Sequence, residues 1–294
     1  MTPELYVPAI TPFAADLSVD TGRLVDHAQA LLAAGAHGLA PFGTTSEANS
    51  LSVEERIEGL EALLGAGIDP ARIIPGTGCA ALPDTIRLTR HAWEAGCKGA
   101  LMLPPFYYKG VPEAGLADAF SRAIEGAGEG AVYLYHIPQM SGVPITAGLI
   151  ETLIGRFGGA IAGLKDSSGD WAGTEALIRA FPGLAIYSAS ESLIPRNVAA
   201  GGAGCISASA NVNPEGIRRL IDALGTADEG AALEQVSAVR RIFEGLPLIP
   251  SIKAAVAAQR GDAAYARVRP PFRPADPAGE GVRRAVAAAA GVPA

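Results

Sequence analysis

Short runs of continuously hydrophobic residues alternate with longer stretches of helical periodicity along most of the chain. The runs Leu5–Ile10, Gly38–Phe42, Arg72–Ile74, Ala100–Leu103, Ala131–Tyr135, Ile161–Leu164, Leu184–Tyr187 and Gly204–Ser207 read as eight strands. Between them apolar residues recur every three or four positions, as in Leu24, Val25, Ala28, Leu31 and Leu32. That is the period of a helix burying one face. Helix starts are chemically marked. Asp20 is placed to cap, and Ser52 with Glu55 makes a capping box. Pro83 and Pro214 suit a first turn, the latter behind Asn213. The run Gly201–Gly204 reads as a helix terminus and tight turn.

Most of these strands are apolar throughout, as expected where both faces of a parallel sheet are covered. Eight strand–helix units favour an α/β fold of the (β/α)8 TIM-barrel type over an open doubly wound sheet. Residues 1–225 are expected to form the barrel. Residues 226–294, Ala-rich and interrupted by Arg269–Pro274, are expected to be a C-terminal helical extension packed on its wall.

Composition narrows the function. The 294 residues are 49% hydrophobic, which excludes a disordered chain. A net charge of −7 argues against nucleic-acid or anionic-membrane partners. No apolar run approaches the roughly 18–20 residues a spanning helix needs. The start, Met1-Thr2-Pro3-Glu4, lacks the features of a signal peptide. Cys79, Cys97 and Cys205 form neither a disulfide framework nor a zinc spacing. A soluble cytoplasmic protein is expected.

In parallel barrels the chemistry sits where the strands end. The second strand runs into Gly43-Thr44-Thr45-Ser46-Glu47, the fourth into Pro104-Pro105-Phe106-Tyr107-Tyr108. The fifth ends in Tyr135-His136-Ile137-Pro138 and the sixth in Lys165-Asp166-Ser167-Ser168. Lysine occurs only at 98, 109, 165 and 253, and Lys165 closes the apolar stretch Ala160–Leu164. An amine at an apolar rim is partly desolvated, which lowers its pKa and frees it to attack a carbonyl. Pairing with Asp166 or reaching for solvent is the plainer fate. Tyr135 at the same level can pass a proton, or serve only as a core tyrosine. Gly43-Thr44-Thr45 offers hydroxyls and N–H groups to a carboxylate, although ordinary connections use similar residues.

Two motifs point elsewhere. Gly76-Thr77-Gly78-Cys79-Ala80-Ala81 fits G-x-G-x-x-A, but no acidic residue ends the next strand, so a dinucleotide is not expected. Cys79 has no histidine base among His27, His37 and His91. No metal is expected, because the strand ends carry Thr, Tyr and Lys.

Together these segments resemble the dihydrodipicolinate synthase / N-acetylneuraminate lyase family of class I, pyruvate-dependent aldolases. The resemblance rests on Gly43–Glu47, Pro105–Tyr108, Tyr135–Pro138, Gly163–Asp170 and Gly204–Ser207 with Asn211. It implies that Lys165 forms an imine with pyruvate and that Tyr135 relays protons. Thr44 and Thr45 would bind the carboxylate, with Gly43 and Ile206 beside the substrate. Tyr107 would reach a neighbouring subunit's site, implying a homodimer or homotetramer. No cofactor is implied, because the protonated imine is the electron sink.

Three departures bear on the second substrate. Met140 stands where the synthases carry an arginine that clamps a carboxylate. Ser46 replaces a glycine, and His136 an asparagine; both either orient the second substrate or satisfy local backbone groups. The expected reaction is therefore aldol cleavage of a 4-hydroxy-2-oxo acid to pyruvate and an aldehyde, and its reverse. 4-Hydroxy-tetrahydrodipicolinate synthase and 2-keto-3-deoxy sugar-acid dehydratase are the alternatives within the family. A non-catalytic binder of 2-oxo acids and a cofactor-dependent oxidoreductase are the alternatives outside it.

Overall fold

The computed structural model describes residues 2–291. Its strands are β1 (Glu4–Val7), β2 (Gly38–Leu39), β3 (Ala100–Met102), β4 (Val132–His136), β5 (Ile161–Asp166), β6 (Ala185–Ser188) and β7 (Gly204–Ile206). The helices are α1 (Thr21–Ala33), α2 (Val53–Gly65), α3 (Leu82–Glu94), α4 (Glu113–Ala127), α5 (Pro138–Ser141) and α6 (Ala147–Phe157). They continue with α7 (Trp171–Ala180), α8 (Ile194–Ala199), α9 (Pro214–Ala223), α10 (Glu229–Glu244), α11 (Leu248–Arg260) and α12 (Glu280–Ala289).

All seven strands pair in parallel in one sheet, ordered β2-β1-β7-β6-β5-β4-β3. The third expected strand, Arg72–Ile74, is not one. Pro70–Arg72 makes a 3-10 turn, and Pro41 and Pro75, which have no N–H, interrupt the ladder on both sides. The segment nevertheless bonds to both edges of the sheet. Ile74 N–H donates to Leu39 (2.9 Å) and Gly76 N–H to Pro41 (2.7 Å), while Thr77 N–H donates to Leu101 and Leu101 N–H to Pro75 (both 2.9 Å). The sheet is thus curled until its two edges face one shared stretch of chain. Proline also explains why β1 stops at Val7, just before Pro8, and not at Ile10 as expected.

The caps follow the local chemistry. Asp20 accepts from Arg23 N–H, and Ser52 and Glu55 form the reciprocal capping box. Asn213 occupies the N-cap position of α9, but its side chain turns to Gln235 (3.4 Å) and caps nothing.

Alternation along the strands separates two surfaces. Leu5, Val7, Leu134, Ile186 and Cys205 pack outward against the helices. Tyr6, Leu101, Tyr133, Tyr135, Tyr187 and Ile206 pack with one another on the concave side, filling it with side chains. At the end where the strands begin, Lys98 Nζ donates to both Glu4 oxygens (2.9 Å) and to Tyr6 Oη (2.7 Å). Tyr187 Oη closes this plug on Glu4 (2.5 Å). The opposite end is where β4, β5 and β7 deliver the polar residues.

Helices α10, α11 and α12 share a core with Ile10 and Val212, so they rest on the loops that leave β1 and β7. In α11 every residue from Ile249 to Ala257 is buried. Among the described residues no helix is long and apolar enough to cross a membrane.

Candidate active site

Strand register sets the first relationship. Tyr135 of β4 and Lys165 of β5 are partners, followed by His136 and Asp166. Lys165 and Tyr135 are each only 4% exposed, and Lys165 Nζ lies 4.2 Å from the centroid of the Tyr135 ring. β5 extends two residues further than the apolar run suggests, so Lys165 lies on the strand, in its rigid part. Lys165 forms no ion pair among the described residues. Asp166, the plainer partner, accepts instead from Ser168 N–H and Thr174 Oγ1 (both 2.8 Å).

The second relationship brings in the loop after β2. Thr44 Oγ1 lies 3.1 Å from Tyr135 Oη, within hydrogen-bond reach. Burial would push the Tyr135 phenol up. The charge of Lys165 and hydrogen bonding with Thr44, Lys165 and Ser167 outweigh it, holding the hydroxyl below the ordinary phenol range. A hydroxyl pair beside an amine, sheltered from bulk water, is equipped to move protons at a bound carbonyl.

The remaining expected residues are placed variously. Gly43 and Thr45 are buried in the same loop as Thr44, and Ile206 sits on β7 in the concave core with Tyr135. Ser46 Oγ donates to the Ala9 carbonyl (2.6 Å), and its own carbonyl accepts from Thr11 (2.8 Å). His136 Nδ1 accepts from Ile145 N–H (2.9 Å), which leaves Nε2 as its protonated nitrogen; burial lowers its pKa. Met140 on α5 is 62% exposed. Lys109 reaches the same rim, donating to the Ser141 carbonyl (2.5 Å). Tyr107 is not brought to the Thr44–Tyr135 pair. It stands 73% exposed, packed edge-on against Tyr108 with ring centroids 5.3 Å apart.

The G-x-G motif has a steric cause. A Cβ on Gly76 would lie 2.2 Å from the Phe42 carbonyl oxygen, and one on Gly78 2.4 Å from Leu103 N. Both glycines let this segment pass between its neighbours, which accounts for them without a pyrophosphate.

Two buried ionic groups escaped the sequence reading. Glu47 pairs with Lys253 at 2.6 Å, both side chains 0% exposed. A lysine inside the apolar run Ile249–Ala257 was the signal for it. Glu191 is fully buried and accepts from Ser207 Oγ (2.5 Å) and from Ser209 Oγ, with Arg240 at 3.7 Å. Nothing in its local sequence marks it.

Residues 2–289 match the dihydrodipicolinate synthetase family. The chain belongs to that family. An uncharacterized DapA-like lyase of Chloroflexus aurantiacus is 42% identical over 251 residues, 84% of this chain and 83% of that one. The crystal structure of dihydrodipicolinate synthase from Agrobacterium tumefaciens superposes with a TM-score of 0.88 at 30% identity, covering 98% of this chain and 99% of that one. A variant 2-keto-3-deoxygluconate aldolase of Sulfolobus solfataricus gives 0.86 at 28% identity, covering 98% and 96%. This dihydrodipicolinate synthetase family member is therefore similar both to a synthase and to an aldolase, and its family is one of lyases and aldolases.

Proposed function

We propose that the protein is a lysine Schiff-base lyase, which cleaves a 4-hydroxy-2-oxo acid to pyruvate and an aldehyde and catalyses the reverse condensation. The observation that carries this is the convergence of Lys165, Tyr135 and Thr44 on one sheltered point. We read the fold as a (β/α)8 barrel, with residues 73–77 serving as the missing stave.

In the condensation direction the Lys165 nitrogen adds to the pyruvate ketone, forming a carbinolamine. Tyr135, connected to Thr44, delivers the proton with which the hydroxyl leaves as water, giving an iminium ion. Its positive charge acidifies the pyruvate methyl group, and transfer of a methyl proton to the Tyr135 phenolate stores the electron pair as an enamine. The enamine attacks the aldehyde carbon, the aldehyde oxygen takes a proton from Tyr135 to become the 4-hydroxyl, and water hydrolyses the regenerated iminium to free Lys165. No cofactor is required, because the iminium accepts the electrons. Gly43, Thr44, Thr45 and Ile206 hold the pyruvate portion. His136 and Met140 flank the second substrate, whereas Ser46, fully buried, satisfies a backbone group by tying its loop to the Ala9 carbonyl. Tyr107, exposed with Tyr108, is the residue offered to a second copy in a homodimer or homotetramer.

A second reading, 4-hydroxy-tetrahydrodipicolinate synthase, uses the same imine. Lys109 at the rim near Met140 is the observation that favours it, since it brings a cation to the place where an arginine is missing. A 2-keto-3-deoxy sugar-acid dehydratase would share the imine too. Screening aldehydes, including aspartate semialdehyde, and sugar acids with the purified protein separates the three. Pyruvate release from 4-hydroxy-2-oxo acids alone supports the lyase, and consumption of aspartate semialdehyde overturns it in favour of the synthase.

A further inference from the structure

The loop Gly43–Glu47 is bounded by two residues other than glycine in the left-handed region, Phe42 (φ 59°) and Glu47 (φ 57°). Such conformations persist only where the surroundings over-determine them. At Glu47 the surroundings come from the C-terminal segment. Lys253 Nζ, on α11, donates to Glu47 Oε1 (2.6 Å) and to the Thr11 carbonyl (2.8 Å), and lies 4.2 Å from the centre of the Phe13 ring. Arg269 N–H donates to Glu47 Oε2 (3.0 Å), so both carboxylate oxygens are held. Glu47 N–H in turn donates to the Thr44 carbonyl (3.1 Å). An unbroken chain of contacts thus runs from a helix outside the sheet to the threonine beside Tyr135.

We propose that Lys253 is a positioning residue: through Glu47 it fixes the loop that presents Thr44 and Thr45 to the substrate carboxylate. This rests on the Schiff-base reading above. It gives the C-terminal helices a part in catalysis. A buried ion pair whose only role was stability would be replaceable by neutral groups of similar shape. A clamp would not be, because the loop needs both oxygens gripped to stay in its left-handed turn. Burial lowers the Lys253 pKa to about 8, against the pull of Glu47.

The test compares the parent protein with Lys253→Met and with the double variant Glu47→Gln/Lys253→Met, which removes both charges and restores a balanced interior. Active sites are counted by borohydride trapping of pyruvate on Lys165, kcat is expressed per trapped site, and the pyruvate KM is measured alongside it. The expected result is a pyruvate KM raised about tenfold or more in both variants, with kcat changed far less, even where the double variant melts at the parent's temperature. A stable double variant with the parent's KM overturns the proposal and leaves the pair a structural element. A parent that traps no pyruvate overturns the Schiff-base reading and this inference with it.

Discussion

Tyr135 and Lys165 are register partners on adjacent parallel strands, and the amine nitrogen of one lies 4.2 Å from the ring centre of the other. Because both belong to strands, their separation is fixed by the backbone ladder and not by a mobile loop. Removing only the phenol oxygen, as in Tyr135→Phe, leaves this packing intact and deletes the proton relay. We expect kcat to fall by ~10²–10⁴-fold with KM nearly unchanged. Steady-state kinetics check this, and a variant with the parent's kcat would take Tyr135 out of the chemistry.

Thr44 contributes through its hydroxyl, 3.1 Å from the Tyr135 oxygen. Thr44→Ser keeps that oxygen and is expected to retain activity within about threefold, whereas Thr44→Val loses about 10²-fold in kcat/KM. Equal losses in the two variants would mean that shape and not the hydroxyl matters there.

His27 gives a pH dependence of stability. It is buried and bonded to Asn211 (2.9 Å), and burial lowers its pKa from 6.5 to about 4. Between those values the unfolded chain binds a proton that the folded chain refuses, so stability falls as pH drops from 6.5 towards 4. The loss amounts to ~3 kcal/mol by the lower limit. His27→Gln is expected to flatten this part of a melting-temperature profile, and a variant with an unchanged slope would place the acid sensitivity elsewhere.

Glu191 holds the ends of β6 and β7 together through Ser207 and Ser209. Glu191→Ala removes the shared acceptor of two buried hydroxyls, which are left with each other (3.0 Å), and takes a buried counter-ion from Arg240, at a cost of ~2 kcal/mol. Urea unfolding measures this, and a midpoint equal to the parent's would show that the interior relaxes around the gap.

Much of this was legible from one dimension. Apolar runs marked all seven observed strands, and the capping signals at Asp20 and Ser52 act as their chemistry dictates. Lys165 and Tyr135 stood out because reactive side chains ending apolar runs are rare. The segment Arg72–Ile74 misled because its residues have strand character while Pro75 beside it and Pro41 opposite it deny the ladder its donors. Glu47 and Lys253 are 206 positions apart, and periodicity carries no information about such a pairing. Tyr107 was singled out by its segment, yet it stands exposed beside Tyr108 and away from the Thr44–Tyr135 pair.

The most direct measurement is mass spectrometry of the protein reduced with borohydride in the presence of pyruvate, with peptide mapping. The account predicts one reduced pyruvyl adduct per chain, located on Lys165 and absent from Lys165→Ala. An unmodified chain, or an adduct on another lysine, would contradict it.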